Sequence, residues 1–363
     1  MKINSVGLSW ITGSEIVQSE ILNAIKQNHL SEGPTCKIVE TKLSELTGPN
    51  NYVTMVNNGT AALLVAAMAL GLRPGDKVVV PTLTFVATAS AFTALGVEPV
   101  FVDTDELGRI NITSVKNALE AETNIKAVVC VHLYGLSSDS RSLSVLCRQH
   151  GVFFIEDAAQ AIGLNPSGKY LGFYSDIVTL SLYASKNLPA GEGGAVLTKD
   201  EELSTRIKKI KNHGRTSHYD YDEIGLNFRW PEFFAIIAKY CLEHFEEIQQ
   251  KRMENVKVLY DFFISKSINP LINPYTENCV FHQFVTLHQN RDQLVDLLHS
   301  KGIGVGSVYP KLLCDTKLYE NSKVYRTDEN DRIITNTNIT WPIGPHLCAE
   351  DIEFMLEAID QCI

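Results

Sequence analysis

The sequence predicts an α/β fold in which a mostly parallel sheet flanked by helices is followed by a smaller α+β unit. Three observations carry this. From residue 52 to about 155, short β-rich runs alternate with helical patterns, the rhythm of strands joined by right-handed crossovers. The strand runs have almost no polar positions, which suits a parallel sheet covered on both faces. A different rhythm starts near Pro231, with a long helical stretch rich in Glu, Lys and Gln. At 363 residues the chain is too long for one small core. We place a large domain at 1–240 and a small C-terminal domain at 241–363. The first ~30 residues of the large domain are free to pack elsewhere, as chain ends often do.

Strands are expected at 52–56, 77–80, 99–102, 127–131 and 152–155, with helices between them at 60–70, 85–95, 114–121 and 139–150. Runs 177–183 and 195–198 add two strands. In the first of these, Val178, Leu180 and Leu182 face one way and Thr179 and Ser181 the other. The stretch 233–260 reads as one long helix crossing between domains. After it come a strand at 280–287, a helix at 291–299, a strand at 304–309 and a C-terminal helix at 349–360.

Hydrophobic residues make up 45% of the chain and charged ones 20%, ordinary globular values that argue against global disorder. The net charge of -10 argues against nucleic-acid binding, which needs a basic footprint. An anionic substrate would need a local cationic pocket. No apolar run reaches the length of a membrane span, and the N-terminus lacks a signal-peptide pattern, so a cytoplasmic protein is expected. The eight cysteines (Cys36, Cys130, Cys147, Cys241, Cys279, Cys314, Cys348 and Cys362) are scattered without a CxxC pair. They read as reduced thiols, mostly core filler, and no metal site is expected.

In open α/β sheets ligands bind beyond the carboxyl ends of the strands, so the residues after each strand matter most. The first strand runs into Asn57-Asn58-Gly59-Thr60 and a nearly all-apolar helix. The free N–H groups and dipole at such a helix start suit a phosphate, although an ordinary N-cap explains the same residues. Phe85, after the second strand, is either a stacking ring for a flat ligand or a core residue. Asp157 and Gln160 follow the 152–155 strand; if 157–160 starts a helix they share one face of it, or Asp157 merely caps that helix. Lys186 follows the 177–183 run. It is either a solvated lysine or a Schiff-base nucleophile whose amine is activated by desolvation. The tight loop Gly191-Glu192-Gly193-Gly194 then returns directly into the next strand. Together these residues supply a phosphate cradle, a ring, a carboxylate, an amide and a lysine, the set that pyridoxal phosphate (PLP) needs.

The ordered motifs resemble those of the DegT/StrS-type sugar aminotransferases. They are Asn57-Asn58-Gly59-Thr60-Ala61-Ala62-Leu63, Pro81-Thr82-Leu83-Thr84-Phe85-Val86-Ala87-Thr88, Val131-His132-Leu133-Tyr134-Gly135 and Glu156-Asp157-Ala158-Ala159-Gln160-Ala161. Further along come Lys186-Asn187-Leu188 with the glycine loop, Asn212-His213-Gly214-Arg215, Gly225-Leu226-Asn227-Phe228-Arg229 and Tyr309-Pro310. The likeness runs from about residue 30 to the C-terminus. It implies a homodimeric fold-type I PLP enzyme that aminates a keto sugar, usually nucleotide-linked, with glutamate as the expected donor. It also implies roles: Lys186 as the Schiff-base lysine, Asp157 on the pyridine nitrogen, Gln160 on the ring hydroxyl and Phe85 on the ring face. Thr60, Ala61 and Ser181 would hold the phosphate, and Asn227 would reach it from the other subunit. A lysine at 186 argues against the family's dehydratase offshoot, which has histidine there.

Two segments depart from the family pattern: Lys311-Leu312-Leu313-Cys314 and Trp230-Pro231-Glu232-Phe233-Phe234. Both bear on the substrate. Lys211, Arg215 and Arg229 with His213 are read either as local positive character for a diphosphate near a dimer interface or as a solvated loop; Tyr309 is a further substrate candidate. Arg229 is alternatively the holder of glutamate's carboxylate. The form of the glycine loop points to amination at C-4 of a nucleotide-linked 4-keto-6-deoxyhexose, in deoxyamino-sugar biosynthesis for a surface glycan or glycosylated metabolite. The alternatives are amination at C-3, a non-catalytic regulator on the same fold, and a different PLP enzyme.

Overall fold

The computed structural model describes residues 2–4, 11 and 14–363. The apolar runs form strands β1 (Tyr52–Val56), β2 (Lys77–Pro81), β3 (Glu98–Val102), β4 (Ile125–Val131), β5 (Phe153–Asp157), β6 (Ile177–Ser181) and β7 (Gly194–Thr198). Each buries all of its residues or all but one. With β9 (Val324–Tyr325) they make an eight-stranded sheet in the order β1-β7-β6-β5-β4-β2-β3-β9. All pairings are parallel except the two made by β7, which runs against β1 and β6. The reversal fits the short 182–193 connection, since a parallel return needs a longer crossover.

Both faces of the sheet are covered, as the lack of polar alternation predicts. On one face Val80, Val129, Ile155, Ile177 and Val196 pack against α3 (Gly59–Ala69), α4 (Ala87–Thr93), α7 (Glu201–Ile210) and the C-terminal part of the chain. On the other, Val79, Val128, Phe154, Val178 and Leu197 pack against α2 (Pro34–Thr47), α5 (Ile112–Ala121), α6 (Ser140–His150) and α8 (Glu232–Glu243). α1 (Glu15–Lys26) lies on α8, with Val17 and Ala24 buried beside Ile236.

Four readings of the sequence change. No helix starts at 157–160, where the chain leaves β5 through turns. The stretch 233–260 is two helices, α8 and α9 (Phe245–Ser265), broken at His244. The His244 ring nitrogen Nδ1 sits 2.8 Å from the Tyr240 carbonyl oxygen, so the side chain caps the end of α8. Among the described residues the expected strand at 304–309 makes one isolated bridge, Gly306 to Thr340, just after another from Ile303 to Ile3. The backbone N–H of Val308 and the hydroxyl of Ser307 instead donate to Asn338 Oδ1 at 2.8 and 2.9 Å, which replaces a ladder with side-chain bonds. The strand at 280–287 shortens to β8 (Phe284–Leu287), paired with β10 (Asn338–Trp341) in a small antiparallel sheet. Helices α10 (Arg291–Ser300), α11 (Asn330–Thr337) and α12 (Ala349–Asp360) complete this part of the chain. All eight cysteines are free, six of them buried. Among the described residues no helix is long and apolar enough to cross a membrane, and there is no metal-ligand cluster.

Candidate active site

The ends of β1, β4, β5 and β6 open onto a cavity of about 370 Å³. Its floor is built by close backbone approach. Gly194, the first residue of β7, is the register partner of both Val56 and Ser181, so the β1–α3 turn and the end of β6 meet there. Asn58 caps α3, its Oδ1 accepting from the Ala61 N–H at 2.8 Å. The first N–H groups of α3, at Gly59 and Thr60, have no acceptor within the helix. Thr60 and Ser181 line the cavity. Ala61 does not, and its N–H is already engaged by Asn58.

Asp157 ends β5, buried at the cavity wall. Its Oδ2 accepts from the Thr88 hydroxyl at 2.9 Å and its Oδ1 from the Ala159 N–H at 3.1 Å. Burial pushes its carboxyl above the ordinary value, opposed by those two bonds and by the charge of Lys186. A cation brought against this carboxylate would relieve that burial cost. Thr88 is in turn 2.9 Å from Thr84. Gln160 accepts from the Tyr134 N–H at 2.7 Å and donates to the Tyr309 hydroxyl at 3.2 Å. Phe85 is 53% exposed at the mouth, with its ring 5.8 Å from that of Tyr309.

Lys186 follows β6 on a loop stitched by Leu182 N–H to Gly193 O, Ala190 N–H to Leu182 O, and Ala184 N–H to Gly191 O. Gly191 has φ +90°, and Trp230 Nε1 donates to the Glu192 carbonyl at 2.8 Å, which fixes the glycine loop. Burial lowers the Lys186 amine from 10.5 to about 8, with Asp157 pulling the other way. Among the described residues no hydrogen bond or ion pair engages this amine.

Behind β5, on the opposite side from Asp157, lies a buried network that sequence reading missed. Glu156 accepts from Ser140 Oγ at 2.6 Å, Ser175 Oγ at 2.7 Å and the Gly172 N–H at 2.9 Å, and lies 3.3 Å from His132 Nε2. Thr88, Glu192, His282 and Gln283 are further cavity residues not foreseen. Thr88 had a signal, as the last residue of the motif that begins at Pro81. His282 and Gln283 had none, because they arrive from the far half of the chain.

The basic candidates are not gathered here. His213 and Asn227 are exposed, Arg215 and Arg229 half-buried, and none lines the cavity; Tyr309 does. Arg229 donates to Asn212 Oδ1 at 2.8 Å. Lys211 is corrected outright. It is buried and donates to Glu32 at 2.5 Å and to the Met55 carbonyl at 3.1 Å, so it supplies no free charge to a loop.

The model of the DegT/DnrJ/EryC1/StrS aminotransferase family matches residues 12–360. The chain belongs to this family. As one of its members it is a PLP-dependent sugar aminotransferase of fold-type I. It is similar to a UDP-N-acetyl-3-dehydro-alpha-D-glucosamine 3-aminotransferase of Acidithiobacillus ferrooxidans, 36% identical over 76% of this chain and 74% of the relative. It is also similar to a pleiotropic regulatory protein of Geobacillus stearothermophilus, 34% identical over 83% of this chain and 82% of that one. Among solved structures it resembles a DegT DnrJ EryC1 StrS aminotransferase from Brucella abortus, with a TM-score of 0.93, 26% identity and 99% of each chain covered. The cavity of this family member fits the cofactor. An unpaired amine, a buried carboxylate that accepts only neutral donors, and a helix start with free N–H groups all meet at one set of strand ends.

Proposed function

We propose that this aminotransferase moves an amino group from glutamate to a keto sugar carried on a nucleotide diphosphate, acting as a homodimer in the cytoplasm. The observation that carries the reading is the unpaired Lys186 amine sharing one cavity with buried Asp157. PLP, when bound, supplies a ring that takes up the electron pair released at a substrate carbon. Lys186 would hold the cofactor, and its Nζ, when free, would take the proton from the donor's α-carbon and later give one to the sugar carbon being aminated. Asp157 keeps the ring nitrogen positive, and Thr88 and Ala159 hold that carboxylate in place. Gln160 serves the ring hydroxyl, Phe85 covers the ring, and Thr60, Ser181 and the free N–H groups of α3 hold the phosphate. Asn227, exposed on its own chain, lends its amide to the partner subunit's phosphate site, and His213, Arg215 and Arg229 lie near that interface. One site serves both half-reactions, so the kinetics are ping-pong.

The glycine loop supports a 4-keto-6-deoxyhexose and amination at C-4. A second reading, C-3, is favoured by the Acidithiobacillus relative, which is named for a 3-dehydro sugar. The intact Lys186, Asp157 and Gln160 set favours catalysis over a purely regulatory role. The test incubates purified protein with glutamate and a panel of nucleotide-linked keto sugars. Cofactor absorbance should change with glutamate alone, and one sugar should gain an amino group as 2-oxoglutarate is released. NMR of the product then separates C-4 from C-3. Failure of every keto sugar, with glutamate leaving the absorbance unchanged, would overturn the reading.

A further inference from the structure

A second cavity, also of about 370 Å³, adjoins the first. The two share Tyr183, Ser185, Lys186, His282, Gln283 and Val308, so Lys186 stands where they meet. The far wall is α9, which presents Ile248 and, one turn on, Arg252. Asn255 anchors this part of α9 by donating to the carbonyls of Gly344, at 3.1 Å, and Ile343, at 3.4 Å.

Arg252 is 6% exposed. Its Nε is buried without a hydrogen-bond partner, and no carboxylate pairs with the guanidinium among the described residues. No Asp or Glu is among the residues lining this cavity. Burial lowers the guanidinium to about 10, so it remains a cation at neutral pH. His282 lies close enough to feel both Lys186 and Arg252, and burial together with these two charges holds it neutral. A protein of net charge -10 therefore keeps a cationic, carboxylate-free chamber beside its reactive lysine.

A buried cation without an anion is unfavourable, and a guanidinium offers two parallel donors that match a carboxylate. The reaction brings one carboxylate-bearing small molecule to Lys186, the amino donor. The geometry points to Arg252 as the residue that receives a carboxylate of that donor, in the chamber behind Lys186. This rests on the glutamate reading above. It also moves the role away from Arg229, which is held by Asn212 outside both cavities. The sugar's diphosphate is the competing anion. A nucleotide-linked sugar is far bulkier than glutamate, and a chamber of about 370 Å³ that opens on Lys186 suits the smaller anion.

The experiment is calorimetric titration of the PLP-loaded protein with glutarate, a dicarboxylate that has no amino group to transfer, and separately with inorganic diphosphate. Wild-type protein should bind glutarate. Arg252→Met should weaken glutarate at least tenfold and leave diphosphate within twofold. Arg252→Lys, which keeps the charge and tests the inference even if the Met variant misfolds, should weaken glutarate by less than Met but measurably. Thermal melts confirm folding of each variant. Unchanged glutarate affinity in folded variants overturns the inference, and so does the absence of glutarate binding to the wild type. An equal loss of diphosphate binding overturns it too and assigns Arg252 to the sugar. Wild type that turns over glutamate while glutarate ignores Arg252 fails this inference alone. Wild type that accepts no glutamate fails the donor reading itself.

Discussion

A Cβ added to Gly194 would stand 2.4 Å from the carbonyl oxygen of Asn58 and 2.9 Å from the Gly59 nitrogen. Both neighbours are backbone, so neither can swing away. This contact explains why a glycine opens β7. The strand must pass directly beneath the turn that starts α3, and that turn carries the free N–H groups of the phosphate cradle. Gly194→Ala should fold but displace the turn. We expect PLP affinity to fall more than tenfold, about 1.4 kcal/mol or more, in an absorbance titration of cofactor-free protein. Unaltered affinity would show that the turn tolerates the push or that the phosphate binds elsewhere.

The Lys186 amine sets a pH dependence. Burial lowers it to about 8, and the Asp157 carboxylate resists that fall. Only the unprotonated amine is a nucleophile, so labelling of Lys186 in cofactor-free protein should rise with pH and level off above about 8. Asp157→Asn removes the charge that favours the ammonium, so its midpoint should move lower still. The same variant should lose most of its turnover, because nothing then holds the ring nitrogen positive. Borohydride reduction of the loaded protein, followed by peptide mapping, should place the covalent label on Lys186. A labelling midpoint near the ordinary 10.5, or a label on another lysine, would refute the assignment.

What was legible in the sequence follows from what is local. β1 through β7 announce themselves because strands buried on both faces are unbroken apolar runs. Asp157 stands out because it closes such a run, and Thr60, Phe85 and Lys186 because each stands a few residues beyond one. Arg252 and His282 reach the same space from α9 and from the segment before β8, and only the tertiary fold brings them there. The break at His244 carries no glycine or proline to mark it. β9 and β10 are two and four residues long, too short for a period to show. The 304–309 run has the apolar alternation of a strand, but Asn338 takes its N–H and hydroxyl donors, a competition that alternation cannot reveal.

Glu156 should matter for stability as Asp157 matters for chemistry, since successive residues of one strand face opposite sides. Burial would raise its carboxyl, but the bond and charge of His132, with Ser140 and Ser175, outweigh this and hold it below the ordinary value. A carboxyl lowered in the folded state contributes stability that is present above its unfolded value. That stability is lost as pH falls through the folded one. Glu156→Gln keeps the shape but sets an amide N–H₂ against hydroxyl and N–H donors. We expect a loss of about 2 kcal/mol at neutral pH and a shallower decline toward acid, read from denaturant midpoints across pH. A midpoint equal to wild type would mean that the network rearranges around the amide.

The last prediction concerns whether the site is shared between two copies. Asn227 is exposed on its own chain and lines neither cavity, although the resemblance gives it a phosphate to hold. A buried phosphate needs donors from several directions, and the start of α3 covers only one of them. A two-fold axis would let each chain supply the other's missing amide through one self-complementary interface. Within its own chain Asn227 has a local use, since its Oδ1 lies 3.4 Å from the Arg229 nitrogen and could simply turn the chain. Mixing separates the two. Lys186→Ala chains and Asn227→Ala chains should each be inactive or weak alone. In a mixed dimer, if Asn227 acts across the interface, both lesions fall in one site and the other site is whole. With random exchange and independent sites, activity should recover to about a quarter of the wild-type value. If Asn227 serves its own chain, every site in every dimer carries one lesion, and confirmed exchange of folded chains restores nothing.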